Sequence, residues 1–193
     1  AVEDAKKNMS RAFAGLVVAM LTHTTPQLAG ASVTDDWGDH GLDAIHYDGA
    51  TGVLFFVQVK LKDADQFKQD EAQAFAEGVR KVILNDFNGL NEHVTKRQAA
   101  IEADLEACQA IKLVVAEIGS GITGTAKDAI DLMISQERDS EVRLDPELLH
   151  LDAQACLHYL QKGHAFAAVD DKIGLHSWAL RDGVRKSCVG FAK

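Results

Sequence analysis

The chain has 193 residues, of which 47% are hydrophobic and 25% are charged, a composition typical of one globular domain. Its formal net charge of −9 argues against a protein that coats nucleic acid without specificity, because attraction to phosphate supplies most of that affinity. No apolar run reaches the roughly 18 residues that a membrane span requires, and the three widely spaced cysteines form no CxxC metal site. We therefore expect a cytoplasmic protein without a membrane segment, with one domain over residues 1–193.

The pattern of apolar residues predicts an alternation of helices and strands. Helical spacing predicts a first helix over residues 3–21, which Pro26 and Gly30 bring to an end. The clearest hairpin follows, with strands over residues 42–48 and 53–61. The other predicted elements are strand 31–34, helix 66–87, helix 91–110, strand 112–118, helix 125–135, strand 141–144, helix 152–161, and strands 165–169 and 173–180. Interleaved strands and helices indicate an α/β or α+β class.

Three polar residues of the hairpin are predicted to lie together. If residues 49–52 form the turn, Asp48 pairs with Val53, and counting back along both strands places Asp43 opposite Gln58. Lys60 lies two residues after Gln58 and therefore shares its face of the strand. The apolar residues of this face, nearer the turn, are Ile45, Tyr47, Leu54 and Phe56.

These residue types favour a metal site. Burying a carboxylate, an amide and an ammonium on an apolar sheet costs free energy unless the groups are paired, and a divalent cation provides a partner. The oxygens of Asp43, of the Gln58 amide and of the Val59 backbone carbonyl suit Mg²⁺ or Mn²⁺. Lys60 can then polarise an attacking water or stabilise charge on a phosphate. Asp43, Gln58 and Lys60 are the candidate catalytic residues; alternatively, Lys60 simply ends an edge strand.

Residues around the hairpin are candidates for supporting roles. Asp39 and Gly41 lie on a tight loop before the first strand, where Asp39 either joins the metal site or caps its own loop through an Asx-type bond. His40 either contacts substrate and shuttles protons or is a solvated loop histidine. Lys62 continues the second strand on the face of Lys60, and it is the best candidate for contact with a nucleic-acid phosphate.

The motif resembles a known superfamily. Gly-Asp-x-Gly-x-Asp over residues 38–43, followed by Gln-x-Lys over residues 58–60, resembles the Mrr-like branch of the PD-(D/E)xK nucleases, in which Gln replaces the usual acid. Within that branch, residues 10–62 are most similar to the N-terminal domain of the AIPR abortive-infection phage-resistance proteins. The resemblance implies a restriction-endonuclease-like mixed central sheet flanked by helices, and a Mg²⁺-dependent or Mn²⁺-dependent DNA endonuclease in phage defence. It also implies a longer C-terminal part that this domain contacts, and by analogy a homodimer.

One departure from the superfamily opens a second hypothesis. Many members carry a glutamate on the first helix that completes the metal site, and the matching position here is Ala14. We expect Asp36 or Asp39 to compensate. If neither does, the chain is a catalytically degenerate nuclease fold that binds nucleic acid or protein.

A third hypothesis comes from a glycine-rich segment. Residues 119–124 form a Gly-x-Gly-x-x-Gly pattern after a predicted strand and before a predicted helix, and Asp145 follows where a ribose-binding acid is found. This pattern is typical of dinucleotide-binding proteins, although no succession of βαβ units follows it. The plainer interpretation is a strand-to-helix loop in which Thr123 or Thr125 caps the helix.

Overall fold

The structure, a computed structural model, describes residues 2–36, 38–61, 65–140, 146–166, 179–181 and 184–186. Its helices are α1 (Val2–Thr22), α2 (Pro26–Ala31), α3 (Gln69–Ile83), α4 (Glu92–Thr95), α5 (Gln98–Ala107), α6 (Gly124–Ser140) and α7 (Ala153–Phe166). Its strands are β1 (Ala44–Asp48), β2 (Val53–Leu61), β3 (Ala110–Ile118), β4 (Glu147–Leu151), β5 (Ala179–Arg181) and β6 (Val184–Lys186). Within these ranges, no helix combines the length and the apolar composition needed to cross a membrane.

Strands β1 to β4 form one mixed sheet in that order. The hairpin of β1 and β2 is antiparallel and pairs Asp48 with Val53, which confirms the predicted register. Strands β2, β3 and β4 are parallel, and helices fill both crossovers, as parallel pairing requires. The chain is therefore of mixed α/β class, as the sequence predicted, with β5 and β6 paired in a separate two-stranded sheet.

The sheet has a hydrophobic core on each face, and the alternation of side chains along β2 divides it between them. Phe56 belongs to the core that includes Phe75 of α3 and residues of α5 and α6. Val57 belongs to the opposite core, which includes Val17 of α1 and residues of α2 and α7. Since Gln58 and Lys60 alternate with Val57, they lie on the α3 face of the sheet, as predicted for these two residues.

The segment between α1 and the hairpin differs from the prediction. Residues 26–31 form helix α2, which Thr25 caps by accepting a hydrogen bond from the N–H of Leu28 at 3.4 Å. Pro26 lies at the start of this helix, where its fixed φ is favourable. The predicted strand over residues 31–34 is reduced to one bridge between Val33 and Ala44.

The predicted helix over residues 91–110 is broken into α4 and α5. Asn91 caps α4 through its Oδ1, which accepts a hydrogen bond from the N–H of Val94 at 3.0 Å. The guanidinium of Arg97 donates to the carbonyls of Ser32 at 3.1 Å and Ile45 at 2.9 Å. These bonds tie Arg97, which lies between α4 and α5, to Ser32 and to β1. The chain therefore makes a tertiary contact at this point where one continuous helix was predicted.

The remaining predictions have mixed outcomes. The hairpin, α1, β3, α6 and α7 lie close to their predicted positions, while α3 is shorter than predicted. Strand β4 over residues 147–151 was not predicted, and the strand predicted over 141–144 lies outside the described residues. Of the predicted strand 165–169, residues 165 and 166 belong to α7 and the rest lies outside the described residues. Of strand 173–180, only residues 179 and 180 are described, and they belong to β5.

Candidate metal centre

A cleft of about 960 Å³ lies at the carboxyl ends of β2 and β3, with α1 and α3 contributing to its walls. In open sheets with parallel strands, ligands bind at this end of the strands. Asp43, Gln58 and Lys60 all line the cleft, as do Asp39 and Gly41 of the preceding loop. The structure therefore brings the predicted catalytic residues together in one concave surface.

Asp43 is held at the base of the cleft by two hydrogen bonds. Its Oδ2 accepts from the backbone N–H of Val59 at 2.5 Å and from Nε2 of Gln58 at 2.6 Å. The side chains of Asp43 and Gln58 are both almost fully buried. A buried carboxylate with two donors has a fixed orientation, which is what a metal ligand requires.

Three carboxylates, Asp35, Asp39 and Asp43, form what we call the acid cluster. One oxygen from each lies within 4.8 Å of the others. Asp39 also accepts a hydrogen bond from the N–H of Gly41 at 2.8 Å, so it both joins the cluster and caps its own loop. Oδ2 of Asp35 is buried and has no hydrogen-bond partner among the described residues. Carboxylates this close repel one another unless a proton or a cation lies among them.

Asp35 was not among the candidates from the sequence, whereas its neighbour Asp36 was. The N–H of Asp35 donates to the backbone carbonyl of Asp43 at 3.2 Å, and this bond brings its side chain to the cleft. Asp36 instead forms ion pairs with Lys7 at 2.6 Å and Arg11 at 3.1 Å. Of the two acids expected to compensate for Ala14, Asp39 is therefore in the acid cluster and Asp36 is not.

Burial changes the acidity of the cluster. Desolvation raises the pKa of Asp43 well above its usual value, and the charges of Asp39 and Asp35 add to the rise. The hydrogen bond from Val59 and the charge of Lys60 oppose it. Desolvation also raises the pKa of Asp39, against the hydrogen bond from Gly41. Asp43 and Asp39 therefore hold their protons more tightly than exposed aspartates do.

Lys60 lies at the end of β2 with its side chain 29% exposed. Its Nζ is 3.5 Å from Oε1 of Glu71, and Oε2 of Glu71 accepts a hydrogen bond from the N–H of Lys68 at 2.9 Å. The first turn of α3 thereby restrains the ammonium beside the acid cluster. Glu71 was not predicted as a site residue, because its place in the first turn of α3 depends on the helix beginning at Gln69 and not at residue 66 as predicted.

Gly41 allows Gln58 and α3 to approach the loop. With φ at +76°, a Cβ at this position would lie 2.2 Å from Oε1 of Gln58 and 3.2 Å from the backbone of Phe75. The amide group of Gln58 places Oε1 next to Gly41 and Nε2 next to Asp43. The hydrogen bond that Nε2 donates orients the Asp43 carboxylate. Metal ligation by the amide oxygen of Gln58 or the carbonyl of Val59 stays a prediction.

Three other residues from the sequence analysis have different outcomes. His40 adopts a φ of +52° and is not among the described residues that line the cleft. Lys62 lies outside the described residues. Ala14 is fully buried in the core on the α1 face, and among the α1 residues whose side chains are described, Lys6, Met9 and Ser10 line the cleft.

Part of the backbone of the glycine-rich segment, residues 119–124, forms hydrogen bonds with the segment before α3. The N–H of Ser120 donates to Asp65 at 3.0 Å, and that of Thr123 donates to Phe67 at 3.0 Å. Oγ1 of Thr123 accepts from the N–H of Ala126 at 3.2 Å, which confirms Thr123 as the predicted cap. Fewer amides are thus free to bind a pyrophosphate, and Asp145 lies outside the described residues.

Comparison of the chain with family models, curated proteins and solved structures found no match. The resemblance to PD-(D/E)xK nucleases and to AIPR proteins therefore stays a prediction. The case for a function rests on the geometry and chemistry of the cleft.

The raised pKa values of Asp43 and Asp39 give a prediction for the pH dependence of metal binding and stability. Metal binding requires deprotonated carboxylates, so Mn²⁺ affinity should fall as pH is lowered, and the fall should begin at a higher pH than the value of about 4 at which ordinary aspartates titrate. Without metal, the folded state binds the Asp43 proton more tightly than the unfolded state does. The resulting stability is fully present below the unfolded pKa and is lost as pH rises through the raised folded pKa.

Urea unfolding of the wild type and of Asp43→Asn in EDTA, across pH, measures this effect. In EDTA, the wild type should lose stability relative to the variant as pH rises. Saturating Mn²⁺ should make the wild type the more stable of the two proteins at neutral pH. A metal-free wild type that gains stability over the variant with rising pH would contradict the assignment.

Proposed function

We propose that this chain is a nuclease that hydrolyses phosphodiester bonds of nucleic acid with the help of a divalent cation. The observation that carries the proposal is the convergence of the acid cluster with Lys60 in one cleft. Carboxylates beside an ammonium are the groups that phosphoryl transfer to water uses. The pairing of Asp43 with Gln58 on the β1–β2 hairpin supports the same chemistry.

Asp35, Asp39 and Asp43 would hold the cation. Their hard anionic oxygens suit Mg²⁺ or Mn²⁺, and the buried Oδ2 of Asp35, which has no hydrogen-bond partner in the described part of the chain, is a group that a cation would satisfy. When bound, the cation would lower the pKa of a coordinated water and neutralise charge on the phosphate. The resemblance of residues 58–60 to the Gln-x-Lys motif is consistent with this choice of metal.

The protein's own groups divide the remaining tasks. The ammonium of Lys60 donates hydrogen bonds to the attacking water or to a non-bridging phosphate oxygen, where negative charge increases during the reaction. Gln58 and the N–H of Val59 fix the direction of the Asp43 carboxylate. Glu71 keeps Lys60 at the edge of the cleft. The reaction adds water across one P–O ester bond.

A second candidate is a nuclease fold that binds nucleic acid or protein without cutting. The observation that favours it is Ala14, which is buried where the superfamily resemblance implies a glutamate. In the nuclease proposal, DNA as the substrate, a role in phage defence and a homodimer rest on the resemblance of residues 10–62. The proposed cytoplasmic location rests on the cysteine pattern and composition of the sequence.

Cleavage assays separate the two candidates. Labelled DNA and RNA, single-stranded and duplex, are incubated with the chain in Mg²⁺ or Mn²⁺, with EDTA and Asp43→Asn as controls. We expect products with the wild type and metal, and none with either control. Metal-dependent binding without products would favour the second candidate, whereas neither binding nor products would contradict both.

A further inference from the structure

Three large apolar side chains, Met9, Leu61 and Ile118, line the same cleft and form what we call the apolar rim. They come from α1, the end of β2 and the end of β3, and they are 58%, 38% and 44% exposed. Single exposed apolar residues are ordinary on a protein surface, and Leu132 of α6 at 60% is one. Three that line one cleft indicate contact with an apolar part of a ligand.

The described residues that line the cleft carry more acids than lysines. Among the described lining residues, the lysines are Lys6 and Lys60, and the acids are Asp35, Asp39, Asp43, Asp70 and Glu71. Single strands and duplexes both draw on cations along the phosphate backbone, so the bases make the difference: the outside of a duplex offers phosphate and sugar, with its bases stacked inside. A phosphate seated on a metal beside apolar side chains instead fits a nucleotide whose base is unpaired.

We propose, on the basis of the proposed nuclease function, that the cleft accepts an unpaired nucleic-acid strand in preference to a duplex. The reacting phosphate would lie at the acid cluster and Lys60, and a neighbouring base would pack against the apolar rim. Every base has an apolar face, so this contact tolerates different sequences. The apolar rim would therefore favour single strands over duplexes, while the acid cluster and Lys60 would act on the phosphate.

Fluorescence polarisation in Ca²⁺, an oxygen-binding cation used here to measure binding, tests the proposal. The probes are labelled single-stranded DNA and RNA, their duplexes, and a strand of the same length with abasic sites. The proteins are the wild type, the double variant Met9→Ala/Ile118→Ala, and the matched control Leu132→Ala. Urea unfolding establishes that each variant is folded.

We expect the wild type to bind single strands at least about tenfold more tightly than duplexes, and the double variant to lose about tenfold in single-strand affinity. Leu132→Ala should bind as the wild type does, and the abasic strand should bind the wild type about as weakly as the ordinary strand binds the double variant. Equal or tighter duplex binding, or a double variant that binds like Leu132→Ala, would overturn this inference and leave the nuclease proposal intact. Absence of binding to every probe would overturn both.

Discussion

Replacing Lys60 with alanine is expected to slow phosphodiester cleavage by about 10²- to 10³-fold, the cost of removing one preorganised donor to a developing charge. Lys60 lines the cleft, and Glu71 restrains its ammonium at 3.5 Å. Its side chain is partly exposed, so its removal leaves no cavity in the core and should cost little stability. Rates of metal-dependent cleavage under single-turnover conditions measure the effect.

A matched control comes from Lys127, an exposed lysine of α6. Lys127→Ala should cleave at the wild-type rate, and Lys60→Ala should still bind Mn²⁺, because the three carboxylates of the acid cluster remain in place. Glu71→Gln should lie between the two, since it frees the ammonium without removing it. Cleavage by Lys60→Ala at the rate of Lys127→Ala would show that Lys60 only ends a strand.

Replacing Gly41 with alanine is expected to damage both the fold and the metal centre. The new Cβ would lie 2.2 Å from Oε1 of Gln58, and its positive φ is strained for any residue with a side chain. Gln58 must then move away from Asp43, which loses one of its two donors. We expect a loss of about 1–3 kcal/mol in the free energy of unfolding and an Mn²⁺ affinity about 10- to 100-fold weaker than that of the wild type.

Gly89 provides a control in which the cost of a positive φ is measured without a clash against another side chain. Its φ is +78°, nearly the same as that of Gly41, but no atom lies within 4 Å of where its Cβ would be. Gly89→Ala should therefore show the cost of a positive φ alone and keep wild-type Mn²⁺ affinity. If Gly41→Ala and Gly89→Ala bind Mn²⁺ equally well, the contact between Gly41 and Gln58 does not support the metal centre.

The hairpin of the site is predictable because its determinants are local. A period of two and a short turn determine which residues of β1 and β2 face each other, and the predicted pairing of Asp48 with Val53 is observed. The meeting of the Asp43 and Gln58 side chains follows from that register. The relative positions of Asp43, Gln58 and Lys60 could therefore be predicted from the sequence alone.

The rest of the site depends on contacts between distant segments. Asp35 reaches the cleft because the residues after α2 fold back on β1, through a bridge between Val33 and Ala44 and bonds to the carbonyl of Asp43. No local pattern distinguishes Asp35 from Asp36. The break between α4 and α5 has a similar origin, since Arg97 contacts Ser32 and Ile45, more than 50 residues earlier in the chain. Local propensity favours a continuous helix there, and tertiary hydrogen bonds override it.

Calorimetric titration of Mn²⁺ into the wild type and Asp43→Asn tests the central claim, that the acid cluster is a metal centre, most directly. Asparagine nearly preserves the shape of Asp43 and can still accept from Val59, so the fold should persist while one anionic ligand is lost. We expect one Mn²⁺ to bind the wild type, and binding to the variant to be weaker by at least about 100-fold or undetectable. Equal binding by the two proteins, or no binding to a folded wild type at neutral pH, would contradict the assignment.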